Sequence, residues 1–227
     1  MATFKKSQNF SKLQKVVNDI YSLQNDRFYS LSGLLVQEQR FAMRTLKGIR
    51  KGNNETIKTN LLISLSWLCS IANRLHIDME NDLWNRFPLV CPYCGKNTCE
   101  CKKVKPKSRK KVSANKIYNP KSIQGFQVMF KTIYPPESRT LADAGIHFAE
   151  EVGEVSEAIH NYLGQHIESQ FDEIRLEIAD LLSNVFGIAN SANINIAKEL
   201  SLTFKQGCHI CHGTPCVCSY SFIIDFK

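Results

Sequence analysis

A four-cysteine pattern occurs twice in this chain and constrains its fold more than any other feature. The spacing C-x2-C-x4-C-x-C starts at Cys91 and again at Cys208, which are 117 residues apart. Other matches recur at that offset or a similar one: Ala72-Asn73 with Ala189-Asn190, Ile77 with Ile194, Phe87 with Phe204 and, at an offset of 113, Ile20-Tyr21 with Ile133-Tyr134. This self-similarity predicts a tandem repeat with a shorter middle in the first copy.

Tight cysteine clusters are typical of metal sites rather than of disulfide frameworks. Four thiolates can close a tetrahedral Zn²⁺ site and leave no position for water, which favours a structural role. The predicted zinc ligands fall into two sets: Cys91, Cys94, Cys99 and Cys101, then Cys208, Cys211, Cys216 and Cys218. The two sets either bind zinc separately or share ligands across a pseudo-dyad, and the alternative is eight free thiols.

The repeat divides the chain into five predicted segments. These are a degenerate helical repeat (1–90), a zinc knuckle (91–101), a basic linker (102–120), an intact helical repeat (121–207), and a second knuckle with a C-terminal tail (208–227). Eight Lys/Arg and no acid lie within 102–116, which accounts for the net charge of +8. This run either contacts nucleic acid or an acidic partner, or is a solvated tether.

Composition places the chain among globular proteins, with 43% hydrophobic and 22% charged residues. No apolar run of about 18 residues is present, so we expect no transmembrane helix and no membrane partner. The first residues lack a secretory signal, and the cysteine usage fits a reducing compartment, so a cytoplasmic location is expected.

Both copies have the apolar spacing of helices. In the second copy one stripe runs from Leu141 to Tyr162 and another from Phe171 to Ala192. Shorter helices are expected at about 121–133 and about 194–206. Because a helix pair alone leaves one apolar face wet, the two copies should pack as an all-α, pseudo-symmetric four-helix-type bundle.

Two pairs of acids, Glu151 with Glu154 and Glu177 with Asp180, lie beside these stripes. Each pair has i, i+3 spacing, so its members share one helix face. A turn at Gly164-Gln165 would bring all four carboxylates to one height. They repel one another unless a cation lies between them, and oxygen ligands suit Mg²⁺ or Mn²⁺.

The first copy does not keep these acids. Asn60 and Ile63 align with Glu177 and Asp180, and Phe41 aligns with Glu154. Glu38 alone matches an acid, Glu151. Because apolar residues cannot bind Mg²⁺, the first copy is predicted to be catalytically empty and structural.

The acids from Glu150 to Glu157, followed by Glu177-Ile-Ala-Asp180, resemble the EExxE and ExxD motifs of the MazG-type all-α nucleotide pyrophosphohydrolases. The resemblance implies Mg²⁺-dependent cleavage of a nucleoside triphosphate to the monophosphate and pyrophosphate. It makes Glu151, Glu154, Glu177 and Asp180 the metal ligands, and it gives Glu150 a role toward the attacking water. The second half of the bundle would come from the first copy, as an internal pseudo-dimer, or from a homodimer.

Substrate phosphates require cations near the acids. The candidate substrate-binding residues are Arg139, Asn184, Lys198 and Lys205. The last helix departs from the family, since Ser201 and Leu202 lie where more Lys and Asn are expected. The alternative function is therefore a catalytically weak nucleotide sensor, or a module that binds nucleic acid or a partner through its knuckles and basic linker.

Overall fold

The computed structural model describes residues 2–103, 106–110 and 112–221. Lys105 and Lys111 of the basic run and residues 222–227 of the predicted tail lie outside the described residues. The described residues form eight α-helices and no strand, which confirms the all-α prediction. The helices are α1 (Phe10–Phe28), α2 (Leu31–Arg50), α3 (Asn54–Arg74), α4 (Met79–Arg86), α5 (Ile123–Ile133), α6 (Leu141–Gln165), α7 (Glu168–Ser191) and α8 (Ile196–Thr203). No helix in these ranges has the length and apolarity needed to cross a bilayer.

Polar side chains fix the helix starts. Asn9 caps α1 and Ser122 caps α5, 113 residues later, each accepting from a backbone N–H three residues on. Thr140 begins α6 with a capping box that includes Asp143. The predicted turn after α6 falls two residues later than expected, where His166 takes a left-handed conformation with φ 55°.

One hydrogen-bond arrangement occurs in both halves. The side-chain amide of Gln14 donates to Asn73 Oδ1 (3.1 Å) and to the carbonyl of Ile77 (2.8 Å). Gln127 donates in the same way to Asn190 Oδ1 (3.1 Å) and to the carbonyl of Ile194 (2.7 Å). In both halves the network ties the first helix to the end of the third.

Two helical hairpins, α2–α3 and α6–α7, form the centre of the fold. Their contact is close at Gly145, where an added Cβ would lie 3.0 Å from Ile49 Cδ1 and 3.1 Å from Leu46 Cδ2. Phe10 and Phe186, each at most 1% exposed, meet edge to face at 5.9 Å between ring centroids and join the first half to the second. Burial of these aromatic rings contributes a large share of the core stabilisation.

The end of each half packs against the other half. Helix α4 lies on α7, where Arg175 and Asp82 form an ion pair at 2.6 Å. Cys99 N–H donates to the carbonyl of Ile133 on α5 (2.8 Å), and Cys216 N–H donates to that of Ile20 on α1 (2.7 Å). Each cysteine cluster therefore docks on the opposite half, and residues from both halves meet at each end of the bundle.

Candidate active site

Three acids converge on the inner face of the α6–α7 hairpin. Glu151 lies on α6, and Glu177 and Asp180 lie one turn apart on α7. One carboxylate oxygen from each lies within 4.8 Å of the other two. Glu177 and Asp180 are each 6% exposed, so the group is largely withdrawn from water. The antiparallel hairpin thus brings together three of the four acids expected to meet.

Burial makes this cluster electrostatically costly. Burial, followed by the charges of Asp180 and Glu154, raises the pKa of Glu151 to about 8. Burial and the carboxyl groups of Glu173, Asp180 and Glu154 likewise raise the pKa of Glu177 to about 8. Oε2 of Glu151 and Oε2 of Glu177 are buried and accept no hydrogen bond. Unpaired carboxylate oxygens at this spacing fit a hard divalent cation such as Mg²⁺ or Mn²⁺.

The remaining two predicted acids lie at the edge of the cluster. Glu154 is exposed and acts on Glu151 and Glu177 through its charge. Glu150 is also exposed, and its Oε2 lies 3.0 Å from His147 Nδ1. The group of three converging acids does not include Glu150, although its partner His147 lines the same cleft.

Two arginines from outside residues 121–207 approach Asp180, and sequence reasoning missed both. Arg86, at the end of α4, donates from Nε to Asp180 Oδ1 at 2.8 Å and from Nη2 to Oδ2. Arg109 lies with Nη2 3.7 Å from the same Oδ2. Burial lowers the pKa of Arg86, but the hydrogen bonds and charge of Asp180 outweigh that effect and raise it. These cations balance part of the acidic charge.

Glu151 and Asp180 line a cleft of about 660 Å³. Residues of the first cysteine cluster and the two lysines that follow it line the same cleft, including Tyr93, Lys102 and Lys103. Arg139 and Asn184, two of the four candidate substrate-binding residues, also line this cleft. Its volume falls within the range of about 300–1,000 Å³ typical of small-molecule sites.

Arg139 occupies a space that depends on a glycine. A Cβ added to Gly187 on α7 would lie 1.8 Å from Arg139 Nη2. The guanidinium also lies over the ring of Tyr134, 6.0 Å from its centroid, and its Nε is buried without a hydrogen-bond partner. Burial lowers the pKa of Arg139. The side chain is thus held at the cleft with hydrogen-bonding capacity to spare.

A comparison with family models identifies this region. Residues 141–208 match the model of the MazG nucleotide pyrophosphohydrolase domain. This MazG segment begins at α6, contains the five predicted acids and ends at the first cysteine of the second cluster. No curated protein and no solved structure matches the chain significantly.

The other two predicted cations of the MazG segment lie away from the acids. Lys198 is exposed on α8, and Lys205 lines a different cleft with Lys58 and Glu199. Both lysines lie apart from the acids because of how their helix packs. Helix α8 contacts α3 of the first half and α5 of the second half rather than the acid face of α7. Neither lysine lines the acid cleft.

Each cysteine cluster of the described chain brings its four sulfurs within 4.8 Å of one another, as two separate groups. Cys91 and Cys101 Sγ are 3.7 Å apart, and Cys211 and Cys216 Sγ are 3.8 Å apart. Sulfurs held about 2.3 Å from a tetrahedral ion lie about 3.8 Å from one another. All nine cysteines are free of disulfides. The clusters therefore fit one Zn²⁺ each without shared ligands.

The matching region of the first half is apolar. Phe41, Ile63 and Trp67 line a pocket of about 70 Å³ beside the second cysteine cluster. Ile63 and Trp67 stand 117 residues before Asp180 and Asn184. Glu38 is 1% exposed and accepts a hydrogen bond from Ser64 Oγ at 2.7 Å. Burial raises the pKa of Glu38 to about 7, although the bond from Ser64 opposes that rise.

Proposed function

We propose that the acid cleft hydrolyses a nucleoside triphosphate to the monophosphate and pyrophosphate, with Mg²⁺ or Mn²⁺ as the cofactor. The observation that carries the proposal is the convergence of Glu151, Glu177 and Asp180 within a segment that matches the MazG domain. Glu154, exposed at the edge of the cluster, completes the proposed ligand set. A bound Mg²⁺ would neutralise phosphate charge and position a water for in-line attack.

The chain's own residues divide the remaining work. Water adds to the α-phosphorus, the bond from that phosphorus to the α,β-bridging oxygen breaks, and the water gives up a proton. Glu150 and its partner His147, at the cleft edge, are the groups that would orient this water and take the proton. Arg139 and Asn184 would hold the phosphates, because both line the cleft and Arg139 Nε lacks a partner.

The same proposal gives the first half a structural role. It lacks the acids of the second half, and its corresponding pocket is apolar. The matching Gln14 and Gln127 networks support a tandem repeat of MazG-like units, degenerate at 1–90 and intact at 121–207. The chain would then act as a monomer with an internal pseudo-dimer, since each half covers the apolar face of the other.

We further propose that the two cysteine clusters hold structural Zn²⁺. Four sulfurs per cluster leave no open coordination position, and the sulfur distances match a tetrahedral site. The metal-type spacing of the eight clustered cysteines supports a reducing, cytoplasmic location.

A second candidate is a nucleotide-sensing module that binds nucleic acid or an acidic partner. It is favoured by the exposure of Lys103, Lys107 and Lys110 and by the arginine pair that already engages Asp180. Salt-sensitive binding to nucleic acid without turnover would be its signature.

Pyrophosphate release from a panel of nucleoside triphosphates separates the two candidates. The wild type should be active with Mg²⁺, and Glu154→Gln should lose at least tenfold in kcat. Glu157→Gln is the matched control, because Glu157 is an exposed acid less than one turn further along α6. Equal activity of the wild type and Glu154→Gln would overturn the assignment of Glu154, and absence of turnover in all three proteins would favour the binding module.

A further inference from the structure

The first cysteine cluster, residues 91–101, belongs to the first half of the chain but lines the acid cleft of the second half. We propose that this cluster and the two lysines that follow it, Lys102 and Lys103, form the phosphate-recognition wall for the substrate. The inference rests on the proposed function and deepens it, since it assigns triphosphate binding to a part of the chain outside the MazG segment.

The cluster is fixed in position on the second half. Cys99 N–H donates to the last residue of α5, Ile133, at 2.8 Å. Phe87, which precedes the cluster, packs edge to face on Phe130 of α5 with ring centroids 5.1 Å apart. A loop anchored by a backbone hydrogen bond, an aromatic contact and four cysteines proposed to hold Zn²⁺ would present its side chains on a rigid scaffold.

The cations of this wall line the same cleft as Glu151 and Asp180. Lys102 Nζ donates to the carbonyl of Ser138 at 2.8 Å, and its charge is one of the influences that lower the pKa of Asp143. Lys103 is exposed and lines the same cleft. Arg109 reaches from the linker to Asp180 while its guanidinium donates to Tyr93 Oη (2.8 Å) and lies 4.8 Å from the ring centroid. Substrate phosphates, drawn to a metal at the acids, would meet these cations within the same cleft.

The second cysteine cluster provides an internal comparison. At the offset of 117, Ser219 and Tyr220 replace Lys102 and Lys103, and Ile210 replaces Tyr93. The second cluster docks on the first half, whose pocket is apolar. Lysines thus follow the cluster that shares a cleft with Glu151 and Asp180, and the matching positions after the other cluster carry none. This pairing is expected if the lysines serve a metal-bound anion rather than the zinc site itself.

The test is equilibrium binding of a triphosphate analogue with a methylene group between the α- and β-phosphates, measured by calorimetry with Mg²⁺. The Lys102→Ala/Lys103→Ala variant should bind at least tenfold more weakly than wild type. The control is Lys107→Ala/Lys116→Ala, which removes the same two charges from exposed positions of the linker and should bind within twofold of wild type. Lys102→Arg/Lys103→Arg should restore most of the affinity.

Two further readouts keep the outcome decisive. Zinc content and circular dichroism of each variant should equal those of wild type. In Lys102→Ala/Lys103→Ala, the affinity for a nucleoside monophosphate should fall less than the affinity for the triphosphate analogue. Equal weakening in the two double variants would overturn the inference, as would wild-type affinity of Lys102→Ala/Lys103→Ala. Tight, lysine-dependent binding without pyrophosphate release from authentic triphosphate would leave the inference intact and overturn the proposed hydrolysis instead. Pyrophosphate release together with a triphosphate affinity that does not depend on the two lysines would support the proposed hydrolysis and overturn the inference.

Discussion

Arg86 on α4 and Asp180 on α7 form a two-pronged ion pair that joins the two halves of the molecule. Nε of Arg86 lies 2.8 Å from Oδ1 of Asp180, and the two side chains are 8% and 9% exposed. The same carboxylate belongs to the candidate metal cluster. One acid is therefore shared between a structural contact and the site proposed for chemistry.

Substitution of Arg86 should show that Asp180 serves both the ion pair and the candidate metal cluster. Arg86→Ala leaves a buried carboxylate without its main partner, so the free energy of unfolding should fall by about 3–5 kcal/mol in the absence of Mg²⁺. Mg²⁺ should then raise the melting temperature of the variant more than that of wild type, because the ion replaces the missing charge. Chemical denaturation and thermal unfolding with and without Mg²⁺ measure both effects.

A double-mutant cycle supplies the control. Arg86→Ala and Asp180→Ala together should destabilise less than the sum of the single changes, with a coupling of at least about 1 kcal/mol. Strict additivity would show that the pair contributes no interaction of its own.

Gly187→Ala tests the placement of Arg139. A Cβ at this position would clash with Arg139 Nη2, so the guanidinium has to leave its place beside Tyr134. We expect triphosphate affinity to fall about tenfold, which corresponds to the loss of one charge-assisted hydrogen bond. Calorimetric titration with a non-hydrolysable triphosphate measures it.

Gly153→Ala is the matched control for this experiment. Gly153 lies inside α6, and an added Cβ there meets nothing within 4 Å. Its substitution should stabilise the helix by up to about 1 kcal/mol and leave affinity unchanged. Similar affinities for Gly187→Ala and wild type would remove Arg139 from the substrate site.

The helices and the acid hairpin could be predicted because their signals are local. Apolar spacing defines α6 and α7, and the i, i+3 acids at Glu151 and Glu177 follow from the pitch of the helix. The turn between the helices came two residues late, since α6 continues to Gln165 before His166 takes its left-handed conformation. Local patterns thus gave the elements and the acid face, with small errors at the ends.

The two arginines that approach Asp180 could not be predicted in the same way. Arg86 and Asp180 are 94 residues apart, and no periodic pattern links them. Their contact depends on α4 crossing to the other half, which is a property of tertiary packing. The same crossing carries Lys205 of the second half to a different cleft. Reasoning within a single repeat therefore placed Lys205 near the acids and missed Arg86 and Arg109.

The docking of each cysteine cluster on the opposite half can be tested by substituting one cysteine in each cluster. Cys99→Ser should increase amide hydrogen exchange in α5, because Cys99 is docked on Ile133. Cys216→Ser should increase it in α1, through Ile20. Each variant should also bind one Zn²⁺ fewer than wild type. If amide hydrogen exchange rises only in the half of the chain that carries the substituted cluster, the docking of each cluster on the opposite half would be contradicted.

Glu38 should make stability depend on pH. Burial raises its folded pKa to about 7 from a usual 4.5, so the folded state holds this proton more tightly than the unfolded chain does. The resulting stabilisation is present below the unfolded pKa and is lost as pH rises through about 7. Relative to Glu38→Gln, the wild type should lose on the order of 2–3 kcal/mol of unfolding free energy between pH 5 and pH 8.5.

Denaturant unfolding of both proteins at the two pH values, with the same zinc content, measures this difference. Glutamine is the appropriate replacement because its side-chain oxygen can still accept from Ser64. Parallel pH dependence in the two proteins would assign the effect to other groups.

The most direct test of the metal site is a crystal grown with Mn²⁺ and measured for anomalous scattering. We predict a manganese peak within about 2.5 Å of carboxylate oxygens from Glu151, Glu177 and Asp180, distinct from the zinc peaks at the two cysteine clusters. Filled zinc sites with no manganese between these acids, and Arg86 still paired to Asp180 at saturating Mn²⁺, would contradict the account.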